Sequence, residues 1–173
     1  MTPAAPLQPA TPALARRLAA MLYEGVLLFG VLMVAGWLYS SLTQQRHALQ
    51  GKTGLQLFLF VVLAVYFVWF WSHGGQTVAM KTWRVRLLTV DGQPLSQARA
   101  LLRYLLCWLW FVPSLLAVWL AGLHDGVSIA AITLAGWLVY AALSRLHPDR
   151  QFLHDALCRT RLVDAALPAR VPA

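Results

Sequence analysis

Hydrophobic positions along this chain fall into four long runs: Leu18 to Leu42, Leu55 to Trp71, Leu101 to Leu123 and Val127 to Leu143. A helix rises about 1.5 Å per residue, so roughly 17–25 residues cross a hydrocarbon layer of about 30 Å. All four runs reach that range, the second and fourth at its short end with help from neighbouring polar-aromatic residues. Unbroken apolar sequence predicts helices, because barrel strands would alternate polar with apolar residues. The predicted fold class is therefore an all-α membrane protein with four transmembrane helices. Pro113 predicts a kink in the third run, since it lacks the N–H owed to the carbonyl four residues back. Trp37 and Tyr39, and Trp69 and Trp71, lie toward run ends, where interfacial aromatic anchors belong.

The polar segments carry a different pattern. Between the second and third runs, Trp83, Val85 and Leu87 alternate with Arg84 and Arg86, a period-2 strand signal. Asp91-Gly92 supplies a turn after it, and Ser96 is placed to N-cap a helix leading into the third run. An R-x-R-L-apolar pattern then recurs, first over Arg84 to Leu88 and again over Arg159 to Val163. One reading pairs the two as a small two-stranded ribbon, with Val85 near Thr160. Its arginines would meet phosphate headgroups, each worth about 1 kcal/mol near an anionic surface. The other reading leaves two independent basic segments. The chain divides into a Pro/Ala-rich extended tail over 1–15, one membrane domain over 16–164 and a short tail over 165–173.

Composition agrees with the runs. Of 173 residues, 60% are hydrophobic and 12% charged, against about 45–50% and about 25% in soluble domains. The net charge of +8, from 14 Lys+Arg and 6 Asp+Glu, changes meaning once it is placed along the chain. Twelve basic residues fall on one side: Arg16 and Arg17; Lys81, Arg84, Arg86, Arg99 and Arg103; and Arg145, Arg150, Arg159, Arg161 and Arg170. Only Arg46 and Lys52 fall on the other. The positive-inside rule then predicts that the twelve, and with them both termini, lie in the cytoplasm. The first run is far longer than the roughly 7–15 residues of a signal-peptide core, so it is expected to stay as a span.

Charge so explained leaves no case for nucleic acid, and no binding fold for it is visible. The expected partners are a bilayer with anionic headgroups and a second copy or another membrane protein. Ala117/Ala121 and Ala131/Ala135 offer small residues at helix-contact spacing. Cys107 and Cys158 are far apart in sequence, and the five histidines lack zinc-type spacing, so neither metal nor cofactor is expected. No G-x-S-x-G, phosphate-cradling glycine loop or H-E-x-x-H occurs, and the chain does not read as an enzyme.

The candidate chemistry is a polar cluster at the start of the spans. A carboxylate inside a membrane costs about 2.5–3.5 kcal/mol at a helix centre, so Glu24 needs a partner or water. Arg17 is two turns from Glu24 on the same helix face, too far for a direct pair; Arg99 and Arg103 are the better partners across a helix contact. Arg16, Arg17, Glu24, Arg103 and Asp155 form the candidate ion site. Lys81, Arg84, Arg86, Arg159 and Arg161 form a basic platform. Structural polar pairing, ion or proton handling, and snorkelling of the arginines to headgroups all remain open readings.

These residues resemble the RDD family of membrane proteins, named for one arginine and two aspartates. Arg16-Arg17 looks like the family's arginine and Glu24, in place of aspartate, like its first acid. Gly75-Gln76-Thr77 with Lys81 is similar to its Gly-x-Thr and basic element. Asp91-Gly92-x-Pro94-Leu95-Ser96 resembles its loop, and His154-Asp155-x-Leu157-x-x-Thr160-Arg161-Leu162-Val163 its closing signature, with Asp155 as the second aspartate. The resemblance covers about residues 14 to 164. It implies a multi-pass membrane protein of undefined biochemical role; transport, including sodium/proton exchange for some members, has been proposed in the family. Arg159 stands where the family usually has glycine, which argues against a special backbone conformation there.

Overall fold

The computed structural model of the protein describes residues 10–44, 52–146, 148 and 150–165. Most of the N-terminal tail, the C-terminal tail after Ala165, Arg46 and His147 lie outside the described residues. In chain order the elements are α1 (Leu14–Leu42), α2 (Lys52–Ser72), α3 (Val78–Thr82), β1 (Val85–Thr89), α4 (Gln97–Cys107), α5 (Val112–Leu120), α6 (Gly126–Leu143), α7 (Leu153–Leu157) and β2 (Thr160–Asp164). Four helices are long and apolar enough to cross a membrane: α1, α2, the composite Gln97–Leu120 and α6. The first three start a few residues before their apolar runs, because helix geometry continues through the flanking polar residues. The third span bends where a 3-10 turn at Trp108–Trp110 joins α4 to α5. Pro113 sits in the first turn of α5, where its missing N–H is owed nothing.

The outward sides of the spans are apolar. Leu22, Val26, Phe29 and Met33 of α1 are exposed although they sit in its middle, as expected of a helix whose solvent is hydrocarbon. Inside, α2 packs on α4, α5 on α6, and α1 on α2 and α3. The Tyr104 hydroxyl donates to the Phe60 carbonyl at 2.9 Å, tying α4 to α2. Between α5 and α6 the close approach is made by Gly136, where a Cβ would run into Ser114. The alanines at helix-contact spacing (Ala117, Ala121, Ala131 and Ala135) all point outward instead. Trp37 and Trp69 are exposed, but Trp71 is no interfacial anchor: it is 4% exposed in the core. That core gathers at one end of the bundle, where Trp71, Tyr104, Trp110, Tyr140 and Phe152 meet Val85, Leu87 and Leu162 of the strands.

β1 and β2 form the antiparallel ribbon, with Val85 opposite Asp164, Leu87 opposite Leu162 and Thr89 opposite Thr160. Val85 and Thr160 therefore lie at opposite ends of it, not side by side, because antiparallel pairing reverses the repeated pattern. Val85, Leu87 and Thr89 face the bundle and Arg86 is exposed on the other face. Trp83 and Arg84 fall outside the alternation: Trp83 caps the C-terminus of α3 and is exposed, and Arg84 turns the chain into β1. Residues 10–13 are pinned despite their tail-like composition. The Asp164 N–H donates to the Ala10 carbonyl at 2.9 Å and the Gln151 side chain reaches Thr11 at 3.0 Å.

The repeat extends well beyond R-x-R-L. Gly75 and Arg150 both have left-handed backbones (φ 69° and 52°), as do Arg84 and Arg159 (φ 52° and 53°). Gln76 donates to the Val85 carbonyl at 2.8 Å; Gln151 bonds both polar backbone groups of Leu162, at 2.9 and 3.3 Å. Each unit then runs cap, five-residue helix, left-handed arginine and five-residue strand. Counterparts are 75 residues apart, Gly75 with Arg150 through Thr89 with Asp164. Leu87 and Leu162 are both counterparts and cross-strand partners, so a pseudo-twofold axis passes between them. The whole described chain follows this plan twice: two spans, then one helix–strand unit.

Candidate functional site

Asp155 is fully buried in α7, where it meets the charge of α4. The Arg103 Nε donates to its Oδ1 at 2.7 Å and the Thr160 hydroxyl donates to the same oxygen at 3.1 Å. Arg103 lies with its guanidinium carbon 4.2 Å from the Trp71 ring centroid, a cation–π contact worth more when desolvated. Burial opposes the carboxylate's charge, yet Arg103, His154 and these hydrogen bonds hold its pKa below the usual range. His154 completes the network: its Nε2 is 3.3 Å from Arg103 Nη2, and its Nδ1 is 2.9 Å from the Tyr140 hydroxyl. A guanidinium only donates, so Nε2 accepts and the neutral ring carries its proton on Nδ1. Burial, with Asp155 raising it and Arg103 lowering it, sets the His154 pKa at about 4.

Glu24 lies on α1, two turns from Arg17, and finds no arginine. The Tyr66 hydroxyl of α2 donates to Oε1 at 2.5 Å, and the Thr77 hydroxyl donates to Oε2. Thr77 is also the N-cap of α3, accepting from the Met80 N–H at 3.3 Å. Arg103, the partner anticipated for Glu24, is committed to Asp155. The reason is topological: α1 packs on α2 and α3, whereas α4 packs on α7. Each half of the chain thus fastens its first span to its own short helix, with a tyrosine of its second span assisting. The first half uses Glu24, Tyr66 and Thr77; the second uses Arg103, Tyr140 and the His154-Asp155 pair.

Arg17 stands between these networks, 3% exposed, its guanidinium carbon 4.5 Å from the Phe152 ring centroid. Its Nε and Nη1 have no hydrogen-bond partner. It lines a cavity of about 560 Å³ that also touches Glu24, Arg103, His154, Leu28, Phe67 and Trp137. The cavity is the cleft between α1 and the third span from Arg103 to Leu115, joined by Trp137 of α6, floored by α2 and closed at one end by Val85 and Leu162 of the ribbon. Of the five candidate cluster residues, the cleft brings together Arg17, Glu24 and Arg103 on its wall, with Asp155 bonded to Arg103 behind them. Arg16 lies apart, paired with Asp164 at the end of β2.

On the platform, Lys81, Arg84, Arg86 and Arg159 are exposed and Arg161 is half-buried. The left-handed φ of Arg159 corrects the expectation drawn from its lack of a glycine. Roughly 1–2 kcal/mol of backbone strain is borne there by the pairing of β2 that follows. Residues that sequence reasoning missed are Tyr66, Thr77 and Tyr140 as hydrogen-bonding partners, and Gln76 and Gln151 as strand clips. The shared Gln before each R-x-R-L unit was the available signal. Among the described residues no group of three or more His, Cys, Asp or Glu is placed to hold a metal.

Four apolar spans enclosing a buried, paired polar network define a multi-pass helical membrane protein. The model of the RDD family matches residues 11–159, and the chain belongs to that family of membrane proteins. No curated protein and no solved structure matches it.

Proposed function

We propose that this RDD protein is a non-enzymatic, ligand-handling protein of a bacterial inner membrane, with both termini and the ribbon in the cytoplasm. A small solute would occupy the cleft between α1 and the third span. The observation that carries this reading is the cleft itself: about 560 Å³, within the usual size of ligand sites, with an unpartnered buried Arg17 on its wall. The cation-exchange version draws less support, because both Glu24 oxygens already accept hydrogen bonds. Burial also raises the Cys158 thiol, so it stays protonated and makes a poor nucleophile, which favours a role without covalent chemistry.

A second reading has its own observation. Lys81, Arg84, Arg86 and Arg159 are exposed at the ribbon end, which suits docking of an anionic headgroup surface or an acidic partner in an assembly role. A cleft-filling variant, Leu28→Trp, separates the two. Solute handling requires that a small molecule co-purifying with the wild-type chain be lost from the variant while the fold persists. Unchanged co-purifying molecules would overturn it in favour of assembly.

A further inference from the structure

On the cleft wall, every buried side-chain polar atom without a partner is a donor: Nε and Nη1 of Arg17 and the indole N–H groups of Trp71 and Trp137. The acceptors there are already used, Glu24 by Tyr66 and Thr77, and His154 Nε2 by Arg103. A buried cation without a counter-ion is costly, and the Phe152 ring face offsets only part of that cost. Asp155, whose charge reaches Arg17 without a hydrogen bond to it, takes its hydrogen bonds from Arg103 and Thr160 on Oδ1 and leaves Oδ2 unpartnered. Arg17 is therefore a built site for an acceptor-rich anion.

The rest of the cleft gives the anion a body. Its α1 wall runs from Arg17 to Leu28, roughly 16 Å by helix rise, about half of a hydrocarbon core of about 30 Å. Beyond the arginine it is lined mostly by apolar side chains, among them Met21, Leu63, Phe67 and Leu115, with Glu24 the one carboxylate, held to Tyr66 and Thr77. One charged end and an apolar length one leaflet deep match the outline of a lipid. A soluble anion would leave that length unfilled, and an apolar helix from a second copy would leave Arg17 unpaired.

We propose that the cleft holds an anionic phospholipid of the leaflet on the ribbon side. Its phosphate accepts from Arg17, and one acyl chain lies between α1 and the third span. This rests on the cleft being a ligand site and adds the ligand's class.

The test uses the full chain, stripped of lipid in detergent and titrated with phosphatidylglycerol or with diacylglycerol of the same chains. Native mass spectrometry and thermal unfolding are the readouts. Phosphatidylglycerol should bind at least tenfold more tightly and raise Tm. Arg17→Gln should weaken its binding about 10- to 100-fold, as loss of charged hydrogen bonds does, and leave diacylglycerol unchanged. Arg17→Met should raise the Tm of the lipid-free protein, since it removes an unpaired buried charge; a purely structural arginine would lower it. Equal binding of the two lipids, or an Arg17→Gln variant that binds phosphatidylglycerol as wild type does, overturns the anionic class while leaving the cleft as a ligand site. Lipid binding unaffected by Leu28→Trp, or a cleft closed by a second copy without lipid, overturns both.

Discussion

Asp155 and His154 show at single residues how a buried polar network can be both strong and conditional. Removing one partner of a buried ion pair costs about 3–5 kcal/mol, because the other charge stays desolvated. Asp155→Asn should therefore lower Tm sharply in detergent, whereas the apolar double replacement Arg103→Met/Asp155→Leu should recover most of the loss. A double variant no more stable than Asp155→Asn would mean that the pair is not the source. His154 adds a pH dependence whose sign follows from its lowered pKa. Above about pH 6.5 the ring is neutral in both folded and unfolded chains, and its contribution is fully present. From there down to about pH 4 the unfolded chain takes up a proton that the folded one refuses, so stability falls by about 3 kcal/mol. The Asp155 contribution, from a lowered pKa, is lost only further down, as pH drops through and below the ordinary carboxylate range. Unfolding followed from pH 7 to 4 should slope downward in wild type and lie flat in His154→Gln.

The helix–strand units are where element-scale strain collects. Arg84 and Arg159 hold left-handed backbones at roughly 1–2 kcal/mol each for a side-chain-bearing residue. Arg84→Gly and Arg159→Gly should thus be neutral or stabilising by about 1 kcal/mol in thermal unfolding. Gly75→Ala should do the opposite, since φ is 69° and its Cβ would meet the Leu87 carbonyl oxygen. Register is equally testable. Leu88→Cys/Arg161→Cys, a cross-strand pair, should form a disulfide. Val85→Cys/Thr160→Cys should not, because four residues of strand, roughly 13 Å, separate them. The spans and the ribbon were legible in the sequence because apolar runs and alternation are local signals. The register was not, since a repeated motif does not state whether its copies run parallel or reversed. The short helices were also missed, five residues being too few for a period to appear. Within the site, charge picked out Arg103 and Asp155, but neutral partners such as Tyr66 and Thr77 carry no mark until the halves are folded together.

At the scale of the whole molecule, the repeated plan of two spans and a helix–strand unit explains why the charge lies where it does. Each pair of spans begins and ends at the ribbon side, so both units, and the arginines that shape them, gather at one end of the bundle. The opposite end keeps short connections such as Gly122 to Asp125. If the +8 charge encodes orientation by the positive-inside rule, labelling from the two sides must split along the same line. In a Cys107→Ala/Cys158→Ala background, a membrane-impermeant maleimide applied to spheroplasts should label His124→Cys at once. Arg86→Cys, exposed on the outer ribbon face, should react only after the membrane is opened. The reverse pattern would invert the protein and place the Arg17 end of the cleft in the outer leaflet. Labelling of both sites in sealed spheroplasts would mean mixed insertion, incompatible with the eleven described basic residues gathered at one end.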